Sequence, residues 1–129
     1  VLFVTYRVLV VEDEPIVAMM IEDLLLETGC EPVVAASCGE ALALIEQEPT
    51  FDLAIVDLNI PEGDGVTVIR ALWSRARVSV IISSGYWDAA HEVRTALSPL
   101  AAPLEAITKP WPETDFLNLV RRFLLRARR

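Results

Sequence analysis

An α/β domain, a parallel sheet covered by helices on both faces, is the fold class this sequence of 129 residues predicts. Two observations predict it. The first is short apolar runs without polar alternation, such as Val8-Leu9-Val10-Val11 and Leu53-Ala54-Ile55-Val56. A strand apolar on both sides must be covered on both sides, as strands of parallel sheets are. The second is that these runs alternate with stretches of helical spacing, with no repeat and no low-complexity linker. Five βα units with right-handed crossovers follow. With 53% apolar residues, a chain of this length makes one domain with a sizeable core, placed at about residues 7–126.

The first strand spans residues 7–11. Pro15 opens a helix carrying Ile16, Met19, Met20, Leu24 and Leu25 at helical spacing, and Gly29 stops it. Met19 and Met20 are read as core filling. The second strand covers residues 32–36. Ser37 then caps a helix over 39–47, with Glu40 as its capping-box partner and Ala41, Leu44 and Ile45 inward. The third strand, 52–56, ends at Asp57, and the turn-rich Pro61-Glu62-Gly63-Asp64-Gly65 follows. A helix over 65–73 turns Val66, Ile69 and Leu72 inward, and the fourth strand covers 78–83. Residues 88–97 predict a helix with a thin apolar face of Ala89, Val93, Ala96 and Leu97, broken off by Pro99 and Pro103. A fifth strand fits 105–108, and a last helix over 113–126 buries Phe116, Leu119, Val120, Phe123 and Leu124.

The net charge is −8, yet Arg121, Arg122, Arg126, Arg128 and Arg129 crowd the last nine residues. Cations suit a helix C-terminus, and the acidic remainder repels phosphates, so no direct contact with nucleic acid is expected. No run reaches the ~18 apolar residues of a membrane helix. Val1-Leu2-Phe3-Val4 is apolar, but Arg7 follows before a signal-peptide core forms. Membrane insertion is not expected, and a cytoplasmic location is. Cys30 and Cys38 are too few for a metal cluster and are read as reduced thiols. The start at Val1 favours a fragment or processed chain.

Four strand ends carry polar groups: Glu12 and Asp13, then Asp57, then Ser83 and Ser84 before Gly85, then Lys109 before Pro110. Open α/β sheets place their chemistry at the carboxyl ends of the strands. Three carboxylates meeting there need a cation, and their oxygens suit a hard one such as Mg²⁺, with the backbone carbonyl of Asn59 completing the shell. Asp57 is then placed to attack phosphorus and carry an aspartyl phosphate. Lys109, the only lysine, would act as a point charge on the phosphoryl oxygens, and a Ser hydroxyl would bond one of them. Gly85 is expected to let the backbone approach closely.

This pattern resembles a receiver domain of a bacterial response regulator over about residues 8–125. The motifs are Val10-Val11-Glu12-Asp13-Glu14-Pro15, Asp57-Leu58-Asn59-Ile60-Pro61 with Asp64-Gly65, Ser84-Gly85-Tyr86, and Lys109-Pro110. The resemblance implies a doubly wound, flavodoxin-like sheet of order 2-1-3-4-5 with five helices. It makes Glu12 and Asp13 the metal-binding acidic pair, Asp57 the phosphoacceptor, Ser84 the switch hydroxyl and Lys109 the phosphate-contacting lysine. It implies a histidine kinase or phosphotransfer protein as donor, a downstream protein as output, and a homodimer through the fourth strand, fifth strand and fifth helix as a further option. The Lys109–Pro110 bond is often cis in such domains.

Two departures stand out. Ala106 occupies the position where many members carry a switching aromatic residue. The run Ile82-Ser83-Ser84-Gly85-Tyr86 is similar to a subgroup with Phe-Ala-Thr-Gly-Tyr at the end of the fourth strand. Switching is therefore expected through an order change across residues 86–103. Two alternatives remain open: a Mg²⁺-dependent phosphatase or phosphotransferase with an aspartyl-phosphate intermediate, and a degenerate docking module. Asn59 stands where such phosphatases carry a proton-donating Asp, and no site position lacks a competent residue type. His91 is read as an exposed helix residue, and Trp73, Trp87 and Trp111 as partly buried anchors, with Trp87 placed to report phosphorylation.

Overall fold

The computed structural model describes residues 5–48, 50–86, 88–99 and 102–127. The elements are β1 (Arg7–Val11), α1 (Pro15–Glu27), β2 (Glu31–Ala35), α2 (Cys38–Gln47) and β3 (Leu53–Val56), followed by α3 (Gly65–Trp73), β4 (Ser79–Ser84), α4 (Ala89–Leu97), β5 (Leu104–Thr108) and α5 (Glu113–Ala127). The strands form one sheet in the order β2-β1-β3-β4-β5, and every pairing is parallel. Readings that concern Val1-Leu2-Phe3-Val4, Trp87, Arg128 and Arg129 fall outside the described residues.

The lack of alternation in the strands has the anticipated cause. Every residue of β3 and β4 is buried, as is β1 beyond Arg7, while the edge strands β2 and β5 are partly exposed. Alternate residues feed two separate cores. Leu9, Val11, Ala54, Val56, Val80 and Ile82 pack with Ala41, Ile45, Val68, Leu72, Ala89 and Val93 of α2, α3 and α4. Val8, Val10, Leu53, Ile55 and Ile81 pack with Ile21, Leu25, Phe116, Val120 and Phe123 of α1 and α5.

The helix faces correct the sequence reading in places. In α1 the buried residues are Ala18, Ile21, Leu24 and Leu25, whereas Ile16 is 81% exposed, Met19 61% and Met20 37%. The two methionines are not core filling. This helix is apolar on both sides, so helical spacing fits two stripes, and packing against the sheet selects the one through Ile21 and Leu25. In α3 the inward set is Val68, Ile69, Leu72 and Trp73, with Val66 only half-buried. Leu44 is half-buried and Ala96 exposed, so the buried apolar face of α4 is Ala89, Val93 and Leu97. The α5 face is the anticipated one, and His91 is exposed.

Local signals behave as their chemistry dictates. Ser37 caps α2 by accepting from the Glu40 N–H at 3.1 Å, and the Glu40 carboxylate accepts from the Ala36 N–H at 2.9 Å, which ends β2 at Ala35. Trp73 donates its ring N–H to the Val78 carbonyl at 2.8 Å, and Trp111 stacks on Phe116 with centroids 4.3 Å apart. Both cysteines are buried free thiols. The Lys109–Pro110 bond is cis, as is Ser98–Pro99. Among the described residues no helix is long and apolar enough to cross a membrane.

Candidate functional site

The order of the sheet reverses between β2-β1 and β3-β4-β5, so the carboxyl ends of β1 and β3 open a crevice at the switch point. Backbone hydrogen bonds align the strand ends there. Asp57 donates its N–H to the Val11 carbonyl at 3.0 Å, and Glu12 donates to the Ala35 carbonyl at 3.0 Å. On the other side, Lys109 donates its N–H to the Ser84 carbonyl at 2.7 Å. Gly65, the first residue of α3, makes this tightness possible. A Cβ there would sit 2.6 Å from the Asp57 carbonyl oxygen and 2.8 Å from Leu58 Cα. The close approach anticipated at Gly85 is made by Gly65, since a Cβ at Gly85 would meet nothing within 4 Å.

Glu12 and Asp57 are buried, and Asp13 is half-buried beside them. Each offers a carboxylate oxygen, and these oxygens all lie within 4.8 Å of one another. Lys109 Nζ reaches between them, 2.6 Å from Glu12 Oε1 and 2.9 Å from Asp57 Oδ2, with Glu14 Oε1 at 3.8 Å. The other Asp57 oxygen, Oδ1, accepts from the Asn59 N–H at 3.0 Å, and Glu12 Oε2 accepts from the Glu14 N–H at 3.2 Å. Sequence reasoning paired Lys109 with a phosphoryl group; the structure pairs it with Glu12 and Asp57. It also adds Glu14, whose adjacency in Glu12-Asp13-Glu14 was the available signal.

The charge balance favours a cation. Burial pushes the Glu12 carboxyl above its usual value, although the bonds from Lys109 and the Glu14 N–H oppose this. Burial works against the Lys109 ammonium, but its bonds to Glu12 and Asp57 outweigh that and raise its pKa. Both directions keep protons in the pocket. Three clustered carboxylates sharing one ammonium are a fit donor set for a hard divalent ion such as Mg²⁺.

The two serines divide the work at the end of β4. The Ser83 hydroxyl accepts from the Trp111 ring N–H at 2.9 Å. Ser84 is 2% exposed and extends the strand one residue beyond its anticipated end, pairing with Thr108. Among the described residues no side chain bonds its hydroxyl.

An open parallel sheet of order 2-1-3-4-5, with an acidic pocket at its switch point and a lysine across it, defines a flavodoxin-like domain of the CheY-like type. The chain belongs to the response regulator receiver domain family, whose sequence profile matches residues 8–121. Members are phosphorylation-switched domains of two-component signalling, take their phosphoryl groups from histidine kinases or phosphotransfer proteins, and bind Mg²⁺ at an acidic pocket.

The TorCAD operon transcriptional regulatory protein TorR of Escherichia coli is 32% identical over 83 residues, covering 64% of this chain and 36% of TorR. The chain spans about a third of the length of the first curated relatives it matches, 34% to 36%. A CheY-like receiver domain protein from Methanospirillum hungatei superposes with a TM-score of 0.83 at 28% identity, covering 97% of this chain and 98% of the other. The response regulator TrrA of Thermotoga maritima, solved in complex with Mg²⁺ and BeF, gives a TM-score of 0.76 at 27% identity over 93% of this chain and all of that one.

Proposed function

We propose that residues 7–126 work as one receiver unit in which Asp57 accepts a phosphoryl group. The observation that carries this is the buried Asp57 carboxylate, 2.9 Å from the only lysine and clustered with Glu12 and Asp13. A carboxylate oxygen of Asp57 attacks phosphorus, the bond to the donor's nitrogen or oxygen breaks, and the leaving group departs with that electron pair. Lys109 then turns from the Asp57 carboxylate to the new phosphoryl oxygens, and the Ser84 hydroxyl donates to one of them. Glu12, Asp13, Asp57 and the Asn59 carbonyl would hold Mg²⁺, which when bound neutralises phosphoryl charge.

The donor side of the reading rests on α1. Ile16, Met19 and Met20 line an open groove of about 390 Å³ with Asp23 and Glu27. Met20 also borders a second groove of about 330 Å³ that runs to Lys109 and Trp111. An exposed apolar strip ending at the site suits a phosphodonor that must bring its histidine to Asp57. The output side is a downstream protein, or a second copy docked through the fourth strand, fifth strand and fifth helix, that would read the change.

The test is exposure to acetyl phosphate with Mg²⁺ and mass detection. Wild type should gain one phosphoryl group that alkali or hydroxylamine removes, and Asp57→Ala should gain none. A label that survives Asp57→Ala overturns the assignment.

A further inference from the structure

A groove of about 480 Å³ opens at the amino edge of the sheet, between the starts of β3 and β4 and the last turn of α5. Its apolar wall is Phe51, Val78 and Pro103. Phe51 and Val78 are buried, so the core behind them fixes the wall. Ser79, the first residue of β4, lines the groove too, and it is 7% exposed. Ile81, two residues on, belongs to the core beneath α1 and α5. Strand alternation puts Ser79 on that same face, under the end of α5, where an apolar side chain would continue the row. Among the described residues nothing bonds the Ser79 hydroxyl, yet every fully enclosed side-chain oxygen and nitrogen there has a partner. The hydroxyl is therefore not enclosed: it opens onto the groove.

Two guanidiniums line the same space. Arg77 and Arg126 are exposed, and neither has an ion pair among the described residues. Arg126 lies over the Phe123 ring at 5.1 Å. Arg7, by contrast, is taken up by Asp52, Glu31 and Glu48. Asp52 also borders the groove, and its charge and the carboxyl end of α5 both penalise a dianion. What fits is a single negative charge on a flat pair of oxygens, which an arginine fork matches, carried on an apolar body that covers Phe51 and Val78.

We propose that this groove is a binding site for a small monocarboxylate with an aryl or branched apolar body, whose carboxylate accepts from Arg77, Arg126 and the Ser79 hydroxyl. It lies at the opposite edge of the sheet from Asp57 and does not rest on phosphoryl transfer there. A ligand bound in it bridges the last turn of α5 to the start of β4.

The experiment is a titration with benzoate read by backbone amide NMR, with inorganic phosphate and benzyl alcohol run in parallel at equal ionic strength. Benzoate should shift the amides of residues 50–52, 77–79 and 126–127 saturably. Phosphate lacks the apolar body and benzyl alcohol lacks the charge, so each should bind about tenfold more weakly or less. Arg77→Ala, Arg126→Ala and Ser79→Ala should each weaken benzoate on the order of tenfold, the worth of one charge-assisted hydrogen bond. Ser79→Ala breaks no bond of the free protein, so its unfolding midpoint should match wild type while its binding falls. Shifts that are absent, that never saturate, or that survive the paired arginine substitutions leave two solvated arginines and overturn the proposal. Phosphate that binds as tightly as benzoate overturns the choice of a carboxylate. Asp57→Ala should bind benzoate as wild type does; a loss there would put the ligand at the other edge of the sheet and overturn the assignment to this groove.

Discussion

Lys109 shows why residue type matters more than charge at this pocket. Its ammonium touches Glu12 and Asp57 and approaches Glu14, three acceptors in different directions, which a compact charge on a flexible stem serves and a planar fork does not. Tyr86 poses the complementary problem of a proton that must stay in place. Its pKa rises from 10.0 to about 12, chiefly because the phenol is bonded to Glu92. Between those values the folded protein keeps a proton that the unfolded chain has lost. The contribution of the bond is therefore whole below pH about 10 and is lost as the pH rises through about 12. Absorbance titration of wild type minus Tyr86→Phe should show a late-ionising phenol, and Glu92→Gln should bring it back towards the ordinary value. A Tyr86 phenol that already ionises near pH 10 in the wild type removes the Glu92 bond from the account.

At the scale of the element, the start of α3 sets the precision of the site. Gly65→Ala would drive a methyl group into the Asp57 carbonyl and Leu58 Cα, both backbone atoms that have no rotamer to escape by. A cost of about 1–3 kcal/mol is expected from overpacking of this kind. Gly85→Ala, with open space at its Cβ, should stay within about 0.5 kcal/mol of wild type. Denaturant midpoints for the pair check both numbers, and a Gly65→Ala that unfolds like wild type would mean the junction relaxes freely. The contrast also shows what the sequence made legible. Strand ends were readable because an apolar run that stops at a carboxylate has one sensible place in a parallel sheet, and Glu12, Asp13 and Asp57 emerged that way, whereas the choice of Ser84 over Ser83 came from the family resemblance. The face of α5 was readable because its far side is charged. The face of α1 was not, since Ile16 and Met19 are as apolar as Ile21 and Leu25, and only the sheet chooses between them. Which glycine makes the close approach was equally hidden, because that depends on where two backbones cross.

For the molecule as a whole, the two ends of the sheet treat charge differently. At the amino edge Arg7 serves Asp52, Glu31 and Glu48 together, donating its backbone N–H to Asp52 Oδ2 at 2.8 Å and lying 3.3 Å from Glu31. At the carboxyl edge the buried Glu12 and Asp57, with Asp13 beside them, have Lys109 as their one cationic partner among the described residues. Each cluster sets three carboxylates against one cation, but Glu31 and Glu48 reach solvent, whereas the cluster at the carboxyl edge keeps its excess of negative charge in a partly desolvated crevice, where it costs most. A divalent ion that binds the folded state and not the unfolded chain relieves that cost by mass action. At a hundredfold excess over its dissociation constant it contributes about 2.7 kcal/mol. Thermal unfolding in Mg²⁺ should therefore show a midpoint several degrees above that in a monovalent salt of equal ionic strength, because bulk screening does not reproduce a coordinated ion. Asp13→Asn and Asp57→Asn should each erase most of the difference, whereas Asp52→Asn, at the far edge, should lower the midpoint and leave the response to Mg²⁺ intact. If matched potassium chloride gives the same rise as Mg²⁺, the clustered carboxylates repel one another without forming a site.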